Sequence, residues 1–131
     1  MEIDKLALIF IKNRKALGAV SKGKDVFYFP GGKRESGETD EEALTREVRE
    51  ELSVDIIPES IKFYGVFRAQ AHGKPLGTLV KMTCYTASFD GEPKASSEIE
   101  KIIWVTSKDL KTAPPVDKLI LADLKKKNLI E

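Results

Sequence analysis

The sequence lacks several features that define whole classes of protein. It holds one cysteine, Cys84, and one histidine, so neither an internal disulfide nor a zinc site of clustered cysteine and histidine residues is expected. No apolar run approaches the roughly 20 residues that a membrane span needs. The N-terminal stretch carries acidic residues where a signal peptide would carry basic ones, so we expect a cytoplasmic protein.

Neither sign of charge is in large excess. Lysine and arginine number 22, aspartate and glutamate number 21, and the formal net charge is +1. The global basic field typical of proteins that bind long nucleic acid is therefore absent, whereas a small phosphorylated ligand is not excluded. With 131 residues, 41% of them hydrophobic, the chain can build one core, and we expect a single domain over residues 1–131.

Hydrophobic periodicity predicts a mixed α/β or α+β domain of layered sheet and helices. The main predicted strands cover residues 5–12, 17–22, 26–29, 61–70, 77–89 and 100–106. A Pro-Gly-Gly loop follows the third of them. Apolar residues then recur every four positions, which predicts an amphipathic helix with Thr39 or Asp40 as its N-cap and an end near Ser53. A second helix is predicted within residues 113–128.

The most distinctive stretch is Arg-Glu-Val-Arg-Glu-Glu-Leu at residues 46–52. On a helix, Glu47, Glu50 and Glu51 share one face beside the apolar stripe, and like charges at this spacing repel one another. A solvated face balanced by nearby arginines is one interpretation. The other is a hard divalent cation such as Mg2+, which binds carboxylate and carbonyl oxygens and bridges to phosphates beside an open glycine loop.

Residues 32–54, GKRESGETDEEALTREVREELSV, resemble the signature of the Nudix hydrolases, G-x5-E-x7-R-E-U-x-E-E-x-G-U, in which U is apolar. The matching positions are Gly32, Glu38, Arg46, Glu47, Val48, Glu50, Glu51 and Val54. Ser53 departs from the signature, which has glycine there, so we expect a strained or altered helix C-cap. The resemblance implies a Nudix-like α/β/α sandwich with a central mixed β-sheet.

The resemblance also implies a metal site. Glu50 and Glu51 would bind Mg2+, or alternatively Mn2+. Glu47 would contribute directly or through water, and the backbone carbonyl of Gly31 would supply a further oxygen.

Supporting and catalytic roles follow from the same resemblance. Glu38 and Arg46 resemble the structural pair that joins the helix to the loop and preorganises the carboxylates. A general base must accept a proton from the attacking water. This base is either a helix glutamate or an acid from a later loop, where Glu98 and Glu100 precede the last predicted strand.

Candidate substrate-binding residues flank this region. Lys33 or Arg34 would neutralise a phosphate. Phe29 would either lie in the core or offer an aromatic platform to a base. Arg68 and Gln70 alternate along a strand and would line a nucleotide pocket. Two other residues, Cys84 and Trp104, are predicted to be buried for packing.

The expected function is Mg2+-dependent hydrolysis of a diphosphate bond in a nucleoside diphosphate derivative. A (deoxy)nucleoside triphosphate cleaved to monophosphate plus pyrophosphate, as in MutT-like sanitising enzymes, is the expected case. Two alternatives remain: isomerisation of an isoprenoid diphosphate, which in a Nudix-related branch uses a catalytic cysteine, and nucleotide binding without turnover. The expected partner is a small nucleotide, without long nucleic acid or membrane, and the protein is expected to be a monomer or homodimer.

Overall fold

The computed structural model describes residues 1–131 and contains ten strands and two α-helices. The strands are β1 (Glu2–Ile9), β2 (Ile11–Lys12), β3 (Lys15–Ser21), β4 (Phe27–Tyr28), β5 (Gly31–Gly32), β6 (Asp55–Ile56), β7 (Lys62–Gln70), β8 (Leu79–Thr86), β9 (Phe89–Asp90) and β10 (Ile99–Val105). The helices are α1 (Asp40–Leu52) and α2 (Pro115–Lys126), and both fall short of the length and apolar content that crossing a membrane requires.

A mixed four-stranded sheet in the order β5-β1-β8-β7 lies at the centre of the fold. Strand β1 runs parallel to β8, with Leu6 opposite Thr83, whereas the β1–β5 and β7–β8 pairs are antiparallel. A second sheet has the order β10-β3-β2, with β4 also paired to β3, and β6 and β9 form a third sheet. The central mixed sheet agrees with the sequence-based prediction.

The second half of β1, Leu6 to Ile9, is buried on both faces of the sheet. Successive side chains of a strand point to opposite sides, so these four residues contribute to two different clusters. Leu6 and Leu8 lie in an apolar cluster with the buried face of α1, and Ala7 and Ile9 lie in another cluster with the buried face of α2. One helix therefore covers each side of the sheet. This layering confirms the predicted α+β class and its α/β/α sandwich.

Helix α1 begins and ends where local chemistry predicts. The Thr39 hydroxyl accepts a hydrogen bond from the Glu42 amide at 3.1 Å, and the Glu42 carboxylate accepts one from the Thr39 amide at 2.9 Å. This reciprocal capping box satisfies two backbone donors at the helix start. Ser53 follows the last helical residue with φ of 58°, the left-handed conformation that favours glycine, so the expected strained C-cap is present.

Three local expectations need correction or confirmation. The strand predicted at residues 5–12 ends at Ile9, and the predicted glycine loop instead pairs with it as β5. Trp104 is 38% exposed although Ile99 and Val105 of the same strand are buried, so its predicted burial is wrong. Cys84 is fully buried in β8, as predicted.

Candidate active site

A cleft of about 520 Å³ opens beside the N-terminal half of β1 and brings together chain segments that are far apart in sequence. Its lining includes the glycines of β5, the side chains of Glu47 and Glu51 from α1, and Glu98 from the loop before β10. The first turn of α2 and the loop between β7 and β8 complete its walls. A volume of this size suits one small-molecule ligand.

The three glutamates of α1 differ in burial. Glu51 is only 7% exposed, and its carboxylate accepts a hydrogen bond from the Gly31 amide at 3.0 Å. The Glu47 carboxylate lies 3.0 Å from a guanidinium nitrogen of Arg46. Glu50, whose side chain is 51% exposed, stands outside the cleft lining. Of the three glutamates that were predicted to share one helix face, Glu47 and Glu51 therefore line the cleft, and Glu50 lies outside it.

Burial in the cleft opposes the ionisation of two of these carboxylates. Burial raises the pKa of Glu51 to about 8, and the nearby carboxylates of Glu47, Glu98 and Glu50 add to that rise against the opposing Gly31 amide. Burial also raises the pKa of Glu47, although Arg46 counteracts it. A buried carboxylate among other acids, with oxygen donors only, has the chemistry that suits a hard divalent cation.

The carboxylates do not yet converge as a formed metal centre. No group of three or more acidic, histidine or cysteine side chains has the geometry that would hold an ion. The contacts above explain this, because Glu47 pairs with Arg46 and Glu51 with the Gly31 amide. The predicted ligand set of Gly31, Glu47, Glu50 and Glu51 thus stays a prediction, and binding would require the side chains to turn toward a shared ion.

The two glycines of β5 lie in close contact with their neighbours, and Gly31 is required there because it faces backbone. Gly31 has φ of 146°, a conformation that side chains rarely adopt, and a Cβ there would overlap the backbone of Leu6. At Gly32 a Cβ would lie 2.6 Å from the Cδ atom of Glu47. The absence of side chains at Gly31 and Gly32 therefore lets β5 pack directly against β1 and against the Glu47 carboxylate.

Arg46 connects α1 to the loop before it. Its guanidinium donates to both carboxylate oxygens of Glu38, at 2.7 and 2.8 Å, and to the Lys33 carbonyl at 3.0 Å. These hydrogen bonds lower the pKa of Glu38 to about 2. The geometry is the bidentate pair that the resemblance implied, and it fixes the helix face relative to the glycine strand.

Only one of the two candidate bases in the later loop faces the cleft. Glu98 belongs to the lining together with Glu47 and Glu51, whereas Glu100 is exposed and does not. The Ser97 hydroxyl donates to a Glu98 carboxylate oxygen at 2.7 Å and, as the main cause, lowers the pKa of Glu98. Glu98 is therefore ionised at neutral pH and able to accept a proton.

The predicted substrate-binding residues divide into two groups. Lys33, Gln70 and Phe29 all belong to the cleft lining, with Phe29 buried in its wall. Arg34 instead bonds to Asp40 and pairs with Asp4, and Arg68 pairs with Glu2 at 3.1 Å. Neither arginine lines the cleft, because each guanidinium is held by carboxylates outside it, and their role in substrate binding stays a prediction.

Sequence reasoning missed Asp117, in the first turn of α2. It is fully buried at the cleft; its Oδ1 accepts from the Phe29 amide at 3.2 Å. Its Oδ2 is the only buried side-chain nitrogen or oxygen without a hydrogen-bond partner. Burial raises the pKa of Asp117 to about 7. The signal was present, because Asp117, Ile120, Leu121 and Leu124 form one i, i+3, i+4, i+7 stripe, and an acid on that stripe must be buried.

Comparisons with known proteins agree with this geometry. The family model described as the NUDIX domain matches residues 5–124. An uncharacterized Nudix hydrolase of Bacillus subtilis (strain 168), YvcI, is 31% identical over 85 residues, which are 65% of this chain and 54% of that protein. The chain thus matches only about half the length of this relative.

Solved structures share the fold. The MutT protein from Methanosarcina mazei Go1 superposes with a TM-score of 0.77 at 17% identity, covering 97% of this chain and 95% of that one. The E. coli ORF135 protein superposes with a TM-score of 0.73 at 23% identity, covering 95% and 91%. At these identities the similarity establishes the architecture alone.

Proposed function

Because the chain belongs to the Nudix family, we propose that it is a hydrolase that cleaves a nucleoside triphosphate, ribo or deoxy, to monophosphate plus pyrophosphate. Nudix hydrolases generally use divalent metal ions and act on small nucleotides; we propose Mg2+ here, with Mn2+ as the alternative. The observation that carries the proposal is the meeting of Glu47, Glu51 and Glu98 at one cleft beside the glycine strand. Residues 1–131 would form one domain around this site.

The metal would be held by oxygen ligands only. Glu50 and Glu51 would bind it, Glu47 would contribute directly or through water, and the Gly31 carbonyl would add a backbone oxygen. When bound, such an ion acidifies a water molecule and neutralises charge on phosphoryl oxygens. The burial of the Glu51 carboxylate beside the acidic side chains of Glu47, Glu98 and Glu50 supports this ligand set.

The remaining chemistry belongs to the chain itself. The carboxylate of Glu98 would take a proton from the attacking water as the water oxygen bonds to phosphorus and the bridging phosphorus–oxygen bond breaks. Lys33, in the cleft lining, would balance phosphate charge. The Glu38–Arg46 pair would hold the carboxylate face of α1 in place during both proton transfer and phosphate binding.

The cleft wall formed by the first turn of α2 would receive the nucleoside. In its ionised form, Asp117 would use its free Oδ2 to accept a hydrogen bond from an amino or imino group of the base, which would give this buried atom the partner that it lacks. Gln70 would act indirectly, because its side chain accepts from the Gly77 amide at 2.9 Å and donates to the Pro75 carbonyl at 2.9 Å. It would fix the loop that borders the nucleotide.

The isomerase alternative is not favoured. That chemistry needs a reactive cysteine in the site, and the only cysteine, Cys84, is fully buried and outside the cleft lining. Burial raises the pKa of the Cys84 thiol to about 12, which keeps it protonated.

The test is a panel of nucleoside triphosphates incubated with purified protein and Mg2+, with pyrophosphate release as the readout. Glu50→Gln removes an anionic ligand at nearly constant size and should lower turnover at least about 100-fold. Glu41→Gln, on an exposed turn of the same helix, is the matched control and should retain turnover. Nucleotide binding without turnover in the wild type would refute the hydrolytic proposal, and near-normal turnover in Glu50→Gln would refute the ligand set.

A further inference from the structure

The C-terminal end of α1 is covered by the loop that leads to Glu98. The last carbonyls of an α-helix have no partner within the helix. Here the Leu52 carbonyl accepts from the Lys94 amide at 2.8 Å and the Glu51 carbonyl from the Ser96 amide at 3.0 Å. The Glu50 carbonyl accepts from the Ser96 hydroxyl. Three consecutive helix carbonyls are therefore satisfied by residues 94–96, which we call the docked loop.

Ser53 extends this contact. Its hydroxyl donates to the Ser96 hydroxyl oxygen at 3.2 Å, and the Ser96 hydroxyl in turn donates to Glu50, so the three groups form a continuous chain of hydrogen bonds. Ser53 holds the left-handed conformation in which the signature has glycine. A glycine would adopt that conformation with less strain but has no side chain to offer the loop. The departure from the signature therefore adds a contact to the docked loop.

The docked loop also determines where Glu98 stands. Glu98 lies two residues beyond Ser96, and on its other side its carbonyl accepts from the Lys22 amide at 2.8 Å. Its carboxylate belongs to the same cleft lining as Glu47 and Glu51. The C-terminal part of α1 thus has two roles. The side chains of Glu47 and Glu51 supply carboxylates to the cleft, and the carbonyls of Glu50, Glu51 and Leu52 hold the docked loop that leads to Glu98.

We propose that Ser96 is a positioning residue for hydrolysis, which holds Glu98 toward the helix carboxylates, and that Ser53 reinforces it. The proposal rests on the function proposed above, in which Glu98 accepts the proton. It assigns to Ser96 no contact with substrate or metal. Its effect on turnover should therefore pass through Glu98, whereas an effect through the turn of α1 that carries Glu50 and Glu51 would persist when Glu98 is replaced.

A double-mutant cycle tests this route. Ser96→Ala should lower kcat about 10-fold with KM nearly unchanged, because small displacements of a catalytic group are costly. In the Glu98→Gln background the same substitution should have no further effect on kcat. Ser96→Thr, which keeps the hydroxyl, should restore most of kcat. Ser107→Ala is the control, since no side-chain hydrogen bond involves Ser107 and it lies beyond β10. Equal losses from Ser96→Ala in both backgrounds would overturn the proposal.

Amide hydrogen exchange provides a readout that needs neither metal nor turnover. Ser96→Ala should speed exchange at the Lys94 and Ser96 amides about 3- to 10-fold, the effect of one lost hydrogen bond, while the centre of α1 stays protected. Ser53→Gly should raise the melting temperature and yet speed the same exchange. Unchanged exchange in both variants would overturn the docked loop even in an active enzyme. An inactive wild type with the expected exchange would instead indicate that the proposed function alone has failed.

Discussion

Replacing the buried Asp117 by asparagine should change how stability depends on pH. The folded state raises the pKa of this carboxyl from 3.8 to about 7, because burial opposes its ionisation. The folded protein therefore keeps this proton at pH values where the unfolded chain has lost it. Stability from this group is full below about pH 4, falls as the pH rises toward 7, and stays reduced above that.

The magnitude follows from the shift. A change of about three pKa units corresponds to about 4 kcal/mol of lost stability above pH 8, of which roughly 2–3 kcal/mol develops between pH 5 and pH 8.5. Asparagine does not titrate, so this part of the pH dependence disappears. Its amide leaves unpaired N–H groups, at a cost of about 1–3 kcal/mol that is the same at both pH values.

The assay is urea unfolding of both proteins at pH 5 and pH 8.5 with a chelator present. Between pH 5 and pH 8.5, the difference in unfolding free energy between Asp117→Asn and wild type should change by about 2–3 kcal/mol in favour of the variant. Asp123→Asn is the control on the same helix. Hydrogen bonding from Tyr64 lowers the pKa of Asp123, so Asp123 is ionised and stabilises the fold at both pH values, and Asp123→Asn should lower the unfolding free energy by the same amount at pH 5 and pH 8.5. A wild-type-to-variant difference that is the same at both pH values would refute the reasoning.

Three further predictions concern the site. Gly32→Ala puts a methyl group 2.6 Å from the Glu47 Cδ atom, so kcat should fall at least about 10-fold in the pyrophosphate assay; unchanged kcat would mean that Glu47 need not stay there. Arg46→Lys keeps the charge but loses the bidentate pair with Glu38, which should lower both the melting temperature and, about 10-fold, kcat; an unaltered melting curve would contradict a structural role. Chelation should abolish turnover and added Mg2+ should restore it, with calorimetry detecting Mg2+ binding to the wild type but not to Glu51→Gln; equal binding by both would exclude Glu51 as a ligand.

The parts that could be predicted from sequence depend on local chemistry. Helix α1 could be predicted from its capping box at Thr39 and from apolar residues that recur every four positions. Both features depend on contacts within one or two turns of the helix. The same spacing places Glu47 and Glu51 on one face. The Glu38–Arg46 pair spans eight residues, and the signature resemblance located it before the structure did.

The parts that could not be predicted depend on pairing between distant segments. Arg68 is held by Glu2, 66 residues earlier, and no periodicity reveals which carboxylate a strand arginine will meet. The pairing of Gly31 with Ala7 likewise depends on tertiary structure, because two glycines have almost no strand propensity of their own. Asp117 was predictable in principle, since a lone acid on an apolar helical stripe indicates burial.

The pairing of Gly31 with Ala7 connects the assembly of the sheet to the appearance of catalytic activity during folding. A slip of one residue between these strands would turn the Gly31 amide away from Glu51. A collapsed chain with the wrong alignment would still bury leucines, yet it would possess no functional centre. Hydrolysis should therefore return during refolding only after this alignment is locked, later than the recovery of helical signal.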